Sequence, residues 1–187
     1  NLYGLSRCFL PQLERSKRNN LRRVFLPYVE KNVTEWIYHG KKKEEISLLI
    51  NQGGIYTSDK LLQMFDLFIK EVNEREKEWD IKVSDYIIKE YQYKQLFCEP
   101  WHISTEFAKD IAEKVLQYLN YDFEFYGIVP QLDDYEVFLY GDVIRTFEIK
   151  YKQKYIRVYK RNYLVENGLM DFDEYIGELY EWICFQK

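Results

Sequence analysis

Apolar positions recur at helical spacing along most of this chain. Val29, Val33, Trp36 and Ile37 follow the i, i+4, i+7, i+8 stripe of a core-facing helix, which Pro27 opens and Gly40 ends. A short helix from Glu44 to Gln52 carries Ile46, Leu49 and Ile50 and stops at Gly53-Gly54. The strongest pattern runs from Asp59 to Trp79 behind Ser58 as N-cap, with Leu61, Phe65, Phe68 and Val72 on one face. Its tail, Glu71 to Glu78, is highly charged and predicted to face solvent. Ser84 or Asp85 caps a helix through Ile87, Ile88 and Tyr91 toward Tyr93. Ser104 or Thr105 caps another, from Glu106 to Leu119, with Phe107, Ile111, Val115 and Leu119 inward. Asp171 caps a last one, Phe172 to Phe185, with Phe172, Ile176, Leu179 and Ile183 inward.

Extended signals are fewer. Leu96-Phe97-Cys98 is a short apolar run suited to a buried extended segment. Phe123, Phe125, Ile128 and Val129 allow a strand, Tyr135 to Tyr140 is strand-like, and Ile149 to Tyr159 alternates as a hairpin or extended arm would. The expected fold is α/β and predominantly helical, about seven helices with a minor β component in residues 121–160. No internal repeat or linker divides the chain, so residues 1–187 form a single domain.

Composition narrows the class. Of 187 residues, 47% are apolar and 31% charged, which excludes a disordered chain. No stretch approaches the roughly 20 apolar residues of a membrane span. A net charge of −4 argues against a general nucleic-acid binder. Cys8, Cys98 and Cys184 are odd in number and far apart, so they form no disulfide framework and no zinc pair. That usage points to the cytoplasm. His39 and His102 are too few for a histidine-rich metal site, so no metal is expected. His39 falls in the last turn of its predicted helix, where the dipole favours a cation, a structural role. Aromatics reach 18%, including 18 Tyr. A coding bias explains this; a sugar-stacking surface is the sharper alternative. The chain does not begin with Met and has no charged-then-apolar leader, as a processed start or a missing upstream segment would explain.

Two features carry chemistry. In the irregular first 26 residues, Arg7, Arg15, Lys17, Arg18, Arg22 and Arg23 face only Glu14. Clustered guanidinium and ammonium groups suit phosphates; a solvated basic face is the simpler reading. The second feature is Glu99-x-x-His102 directly before a capped helix. Pro100 forces Glu99 out of helical geometry, so His102 is placed in a loop. An acid three residues before a histidine can orient the imidazole, leaving it free to act as general base. Phosphate-loop, dinucleotide, zinc-protease and nucleophile-elbow signatures are absent from the sequence.

Several stretches resemble one family. Val83-Ser84-Asp85-Tyr86-Ile87, Gln95-Leu96-Phe97 and Trp101-His102-Ile103-Ser104 before an amphipathic helix resemble the WcbI-type polysaccharide biosynthesis acetyltransferases. These show an "SD-aromatic-I" helix start, an "LF" strand and an "HPT" or "HPS" segment. Asn1-Leu2-Tyr3-Gly4 through Phe9-Leu10-Pro11-Gln12 resembles an "NLYG…FFPQ" stretch in the middle of such proteins. Tyr140-Gly141-Asp142-Val143, Phe172-Asp173-Glu174-Tyr175-Ile176 and Tyr180-Glu181 resemble their end. The acid-x-x-His layout also resembles the last block of SGNH-type esterases and acyltransferases. Ile103 stands where that pattern prefers Pro, and Glu99 where it prefers Asp.

The resemblance implies the C-terminal two-thirds of a larger α/β acyltransferase. It implies acetyl transfer from acetyl-CoA to a hydroxyl of a sugar or polysaccharide precursor. His102 would be the base and Glu99 its orienter, with Arg15, Lys17, Arg18, Arg22 and Arg23 holding coenzyme phosphates. The nucleophile of such enzymes would lie upstream of Asn1; Cys8 and Cys98 are expected to pack in the core. The competing readings are an SGNH-like esterase or deacetylase and a non-catalytic helical interaction domain whose partner surface is the Tyr-rich C-terminal third.

Overall fold

A computed structural model describes residues 8–15, 28–99, 102–122, 138–153, 156–157 and 169–185. Seven helices and six short strands are described, so the chain is predominantly helical with a minor β part. Strands β1 (Leu13–Arg15) and β2 (Tyr28–Glu30) pair antiparallel and lead into α1 (Lys31–Tyr38). Helices α2 (Lys43–Gln52), α3 (Ser58–Arg75) and α4 (Ser84–Glu90) follow. A hairpin of β3 (Phe97–Glu99) and β4 (His102–Ile103) precedes α5 (Thr105–Tyr118). Then come α6 (Gly141–Thr146), a pair β5 (Ile156–Arg157) and β6 (Leu169–Met170), and α7 (Phe172–Phe185).

The apolar stripes bury as their spacing requires. Val33 and Ile37 of α1, Ile46 and Ile50 of α2, and Leu61, Phe68 and Val72 of α3 are buried. So are Ile176 and Leu179 of α7. The start of α1 differs from expectation: residues 28–30 pair with β1, so Val29 belongs to a strand. Lys31 begins the helix and its N–H donates to the Gln12 carbonyl at 3.1 Å. His39 lies one residue past α1, and its Nδ1 donates to the Glu35 carbonyl at 2.7 Å. That carbonyl also accepts the His39 N–H at 3.0 Å, so the imidazole adds a second donor at the helix end, a structural role.

The cap of α3 is Thr57, whose hydroxyl accepts the Lys60 N–H at 3.4 Å, one residue before the expected Ser58. The helix also stops four residues short of Trp79. Glu76 turns inward and is 1% exposed, so the charged tail does not face solvent throughout. On α5 the stripe is only half used. Phe107 is buried and Ile111 partly so, but Val115 and Leu119 are exposed because no described element packs over the last turns.

Most described strands lie outside residues 121–160; within that range the structure has β5 and also α6, a helix the pattern did not predict. Residues 123–137, which hold the strand expected at 123–129 and the start of the one expected at 135–140, lie outside the described residues, as do 154–155 and 158–159 of the arm expected at 149–159; residues 138–140 and 149–153 form no strand, and of the arm only Ile156–Arg157 is extended and paired.

Phe9 occupies the centre of the core. Its ring lies 5.3 Å from Phe147, 5.8 Å from Phe65, 5.8 Å from Tyr91 and 5.9 Å from Phe97. One short turn near the N-terminus thereby joins α3, α4, β3 and the end of α6. Offset and edge-on ring pairs of this kind add about 0.5–1.5 kcal/mol each beyond area burial.

Candidate functional site

The hairpin β3–β4 is small because its sequence allows little else. Leu96, Phe97 and Cys98 are buried, which anchors β3 against the core. Phe97 pairs with Ile103 and Glu99 with His102, so Cys98 is an extra residue, a bulge. The Ser104 N–H donates to the Leu96 carbonyl at 2.9 Å and closes the base. The Ser104 hydroxyl then accepts the Phe107 N–H at 3.1 Å and caps α5. His102 therefore sits in a two-residue strand rather than a loop, two residues before the cap.

Glu99 and His102 are register partners. This is the one pair of sequence-predicted site residues that the described backbone brings together. His102 is exposed, so its imidazole meets solvent-borne ligands. Of the basic residues expected to hold phosphates, Arg15 ends β1. Lys17, Arg18, Arg22 and Arg23 lie outside the described residues.

Beside the hairpin is a polar cluster that sequence reading missed. Asp110 of α5 accepts hydrogen bonds from the Tyr86 hydroxyl and, at 3.2 Å, from Lys94 Nζ. Lys94 also donates to the Tyr86 hydroxyl at 3.1 Å and lies 3.5 Å from Glu106 Oε1. The Tyr86 ring stacks on Phe107 at 5.4 Å. Burial pushes the Tyr86 phenol up to about 12, and its hydrogen bond to Asp110 adds to this. The bonds to Tyr86 and Asp110 hold the Lys94 ammonium above its ordinary range. The cluster ties α4 to α5 and fixes the helix that follows His102. Its members are 8 to 24 residues apart, beyond any local pattern.

Lys94 also edges a hollow lined by Phe9, Tyr91, Phe97, Leu139 and Tyr151. Burial pushes the Tyr151 phenol up, with the Cys98 sulfur adding to it. Cys8 and Cys98 are buried, and burial pushes the Cys8 thiol up, which disfavours its thiolate. Both pack in the interior, as expected. Among the described residues no group of three or more His, Cys, Asp or Glu converges as a metal site. No described helix is long and apolar enough to cross a membrane.

Residues 9–124, which contain both the hairpin and the Tyr86 cluster, match the family model of the polysaccharide biosynthesis enzyme WcbI. The chain belongs to the WcbI family. A solved structure shares its fold with a TM-score of 0.68 at 18% identity, over 96% of this chain and 59% of that one. That protein is described as WcbI, a novel polysaccharide biosynthesis enzyme. The form solved is the native protein without a disulfide bond between coenzyme A and one of its cysteines. No curated protein matches the chain. In this WcbI-family chain, α5 and the hairpin before it fall wholly inside the matched span.

Proposed function

We propose that this protein acts in acetyl transfer from acetyl-CoA to a sugar hydroxyl in the making of a surface or capsular polysaccharide. The observation that carries the reading is the register pairing of Glu99 with an exposed His102, directly before the capped α5. His102 would take the proton of the acceptor hydroxyl as that oxygen attacks the thioester carbonyl; the C–S bond then breaks, and the leaving coenzyme sulfur takes that proton from the imidazolium. Glu99 orients the imidazole and favours the cation formed. The mention of coenzyme A for the solved WcbI supports the donor class. In the donor, the thioester supplies the activated acyl group.

The described residues fit the coenzyme only in part. Lys94, at the edge of the hollow, is committed to Asp110 and Glu106 and is a poor phosphate ligand. The phosphates are assigned instead to Arg15, Lys17, Arg18, Arg22 and Arg23. The protein would act in the cytoplasm, with residues 1–187 as one domain of a larger acyltransferase.

The test is His102→Ala, assayed with acetyl-CoA and a sugar acceptor. A general base contributes about 10²–10⁴-fold, so activity within about tenfold of wild type would exclude the role. Because His102 is exposed, the variant should keep its melting temperature. Hydrolysis of an activated ester that ignores both coenzyme and acceptor would point to the SGNH-like esterase instead.

A further inference from the structure

Charged groups from the two ends of the β3–β4 hairpin meet at its base. Lys94 lies just before Leu96 and β3, while Glu106 and Asp110 lie on the first two turns of α5, which follows β4. We propose that Lys94, through Asp110, is a positioning residue: it clamps α5 against the lead-in to β3 and thereby fixes His102 opposite Glu99. The catalytic use of that geometry rests on the function proposed above; the clamp itself does not.

Three observations carry this. First, the hairpin does not hold its own second strand. Leu96, Phe97 and Cys98 are buried and anchor β3, whereas β4 is two residues long, with His102 exposed and Ile103 only partly buried. A two-stranded hairpin is marginal by itself. The place of β4 therefore follows that of α5, which begins directly after it behind the Ser104 cap. Second, α5 has few apolar grips on the body. Phe107 is buried and Ile111 partly so, but Val115 and Leu119 are exposed. The rotation and slide of the helix are left to polar contacts. Third, those contacts converge on one ammonium. Lys94 Nζ donates to Asp110 at 3.2 Å and to the Tyr86 hydroxyl at 3.1 Å, and lies 3.5 Å from Glu106 Oε1. The side chains of Lys94 and Asp110 are 31% and 19% exposed, so solvent screens this pair less than a surface one. Tyr86, stacked on Phe107, completes the clamp from α4.

The test uses Lys94→Met, which keeps the stem and removes the charge, and Asp110→Asn, with Lys89→Met as the control, an exposed lysine of α4. Hydrogen exchange at the Ser104 amide, which closes the hairpin on Leu96, and the imidazole NMR signal of His102 report the geometry without activity. His39→Gln assigns the two histidine signals. Lys94→Met and Asp110→Asn should each speed exchange at Ser104 about tenfold, the size of one charge-assisted hydrogen bond, and shift the His102 signal. The His39 signal should stay in place. Lys94→Arg should return both readouts close to wild type, and Lys89→Met should change neither. In acetyl transfer, Lys94→Met should lose about ten- to hundredfold in kcat with little change in KM, the cost of a reacting group displaced by about 1 Å. Wild-type exchange at Ser104 and a wild-type His102 signal in Lys94→Met overturn the proposal. So does an equal effect from Lys89→Met. Should Lys94→Met not fold, Asp110→Asn decides by the same two readouts. Acetyl transfer that survives His102→Ala would remove the base but leave the exchange and NMR results standing, so a failed clamp and a failed base give different results.

Discussion

Glu76 and Ser84 are joined through a buried carboxylate: Glu76 accepts the Ser84 N–H at 3.1 Å and the Ser84 hydroxyl at 2.7 Å. It also accepts the Val83 N–H at 2.6 Å. The expected cap of α4 was Ser84 or Asp85, but α4 has no side-chain cap from its own first residues. Glu76 supplies it from the end of α3. Glu76→Ala should lower stability by about 2–4 kcal/mol, because two amides and a hydroxyl lose their partner in the interior. Glu76→Gln keeps one acceptor and should lose less. Urea unfolding midpoints measure both, and a loss under about 1 kcal/mol for the alanine variant would contradict this account.

Asp142 makes a second long-range anchor. Its carboxylate accepts the N–H groups of Gly54 at 2.7 Å, Ile55 at 2.9 Å and Tyr56 at 3.0 Å. Burial raises its pKa, but those three amides and Arg145 outweigh it and hold the carboxyl below its ordinary range. The folded pKa is depressed, so this stabilisation is fully present above the unfolded value of about 3.9. It is lost as pH falls through the folded value. Thermal melts from pH 7 to pH 2 should show the wild type losing more stability below about pH 4 than Asp142→Asn does.

Two glycines separate strain from crowding. Gly40 has φ +81° with open space at its missing Cβ, whereas Gly53 has φ +77° and its Cβ would strike Arg145 and Asp142. Gly40→Ala should lower stability by about 1 kcal/mol, the left-handed penalty alone. Gly53→Ala should cost at least twice that, because the anchor of Asp142 must shift. Equal melting temperatures for the two variants would refute the distinction.

Thiol chemistry checks the cysteines. Cys184 is exposed, while Cys8 and Cys98 are buried. A thiol reagent should titrate one cysteine rapidly in the native protein and three after denaturation. Fast reaction of Cys8 would contradict its burial.

What was legible in the sequence was local. The stripes of α2 and α3, and Phe172, Ile176 and Leu179 of α7, follow from spacing. The start of α7 follows from the Asp171–Glu174 pair: Asp171 Oδ1 accepts the Glu174 N–H at 2.9 Å, and Glu174 Oε2 accepts the Asp171 N–H at 3.0 Å. The Ser104 cap of α5 was legible for the same reason. Helix α6 was not. At six residues it is too short to show a period, and so short a helix is marginal alone. It is held by Asp142 and by Arg145, which donates to the Gln52 carbonyl at 2.7 Å, 93 residues away. The candidate site divides likewise. Glu99 and His102 were visible as a spacing of three, but their strand pairing depends on the Ser104–Leu96 bond and the burial of Phe97.

The sequence by itself determined the starts of α5 and α7 and which faces of α2 and α3 turn inward, because caps and stripes act over three or four residues. The tertiary structure alone decided that Phe9 sits at the centre of the core, that Glu76 turns inward, and that Tyr86, Lys94 and Asp110 meet. Each of these depends on partners brought together by packing, and no local energy favours them until the chain has closed.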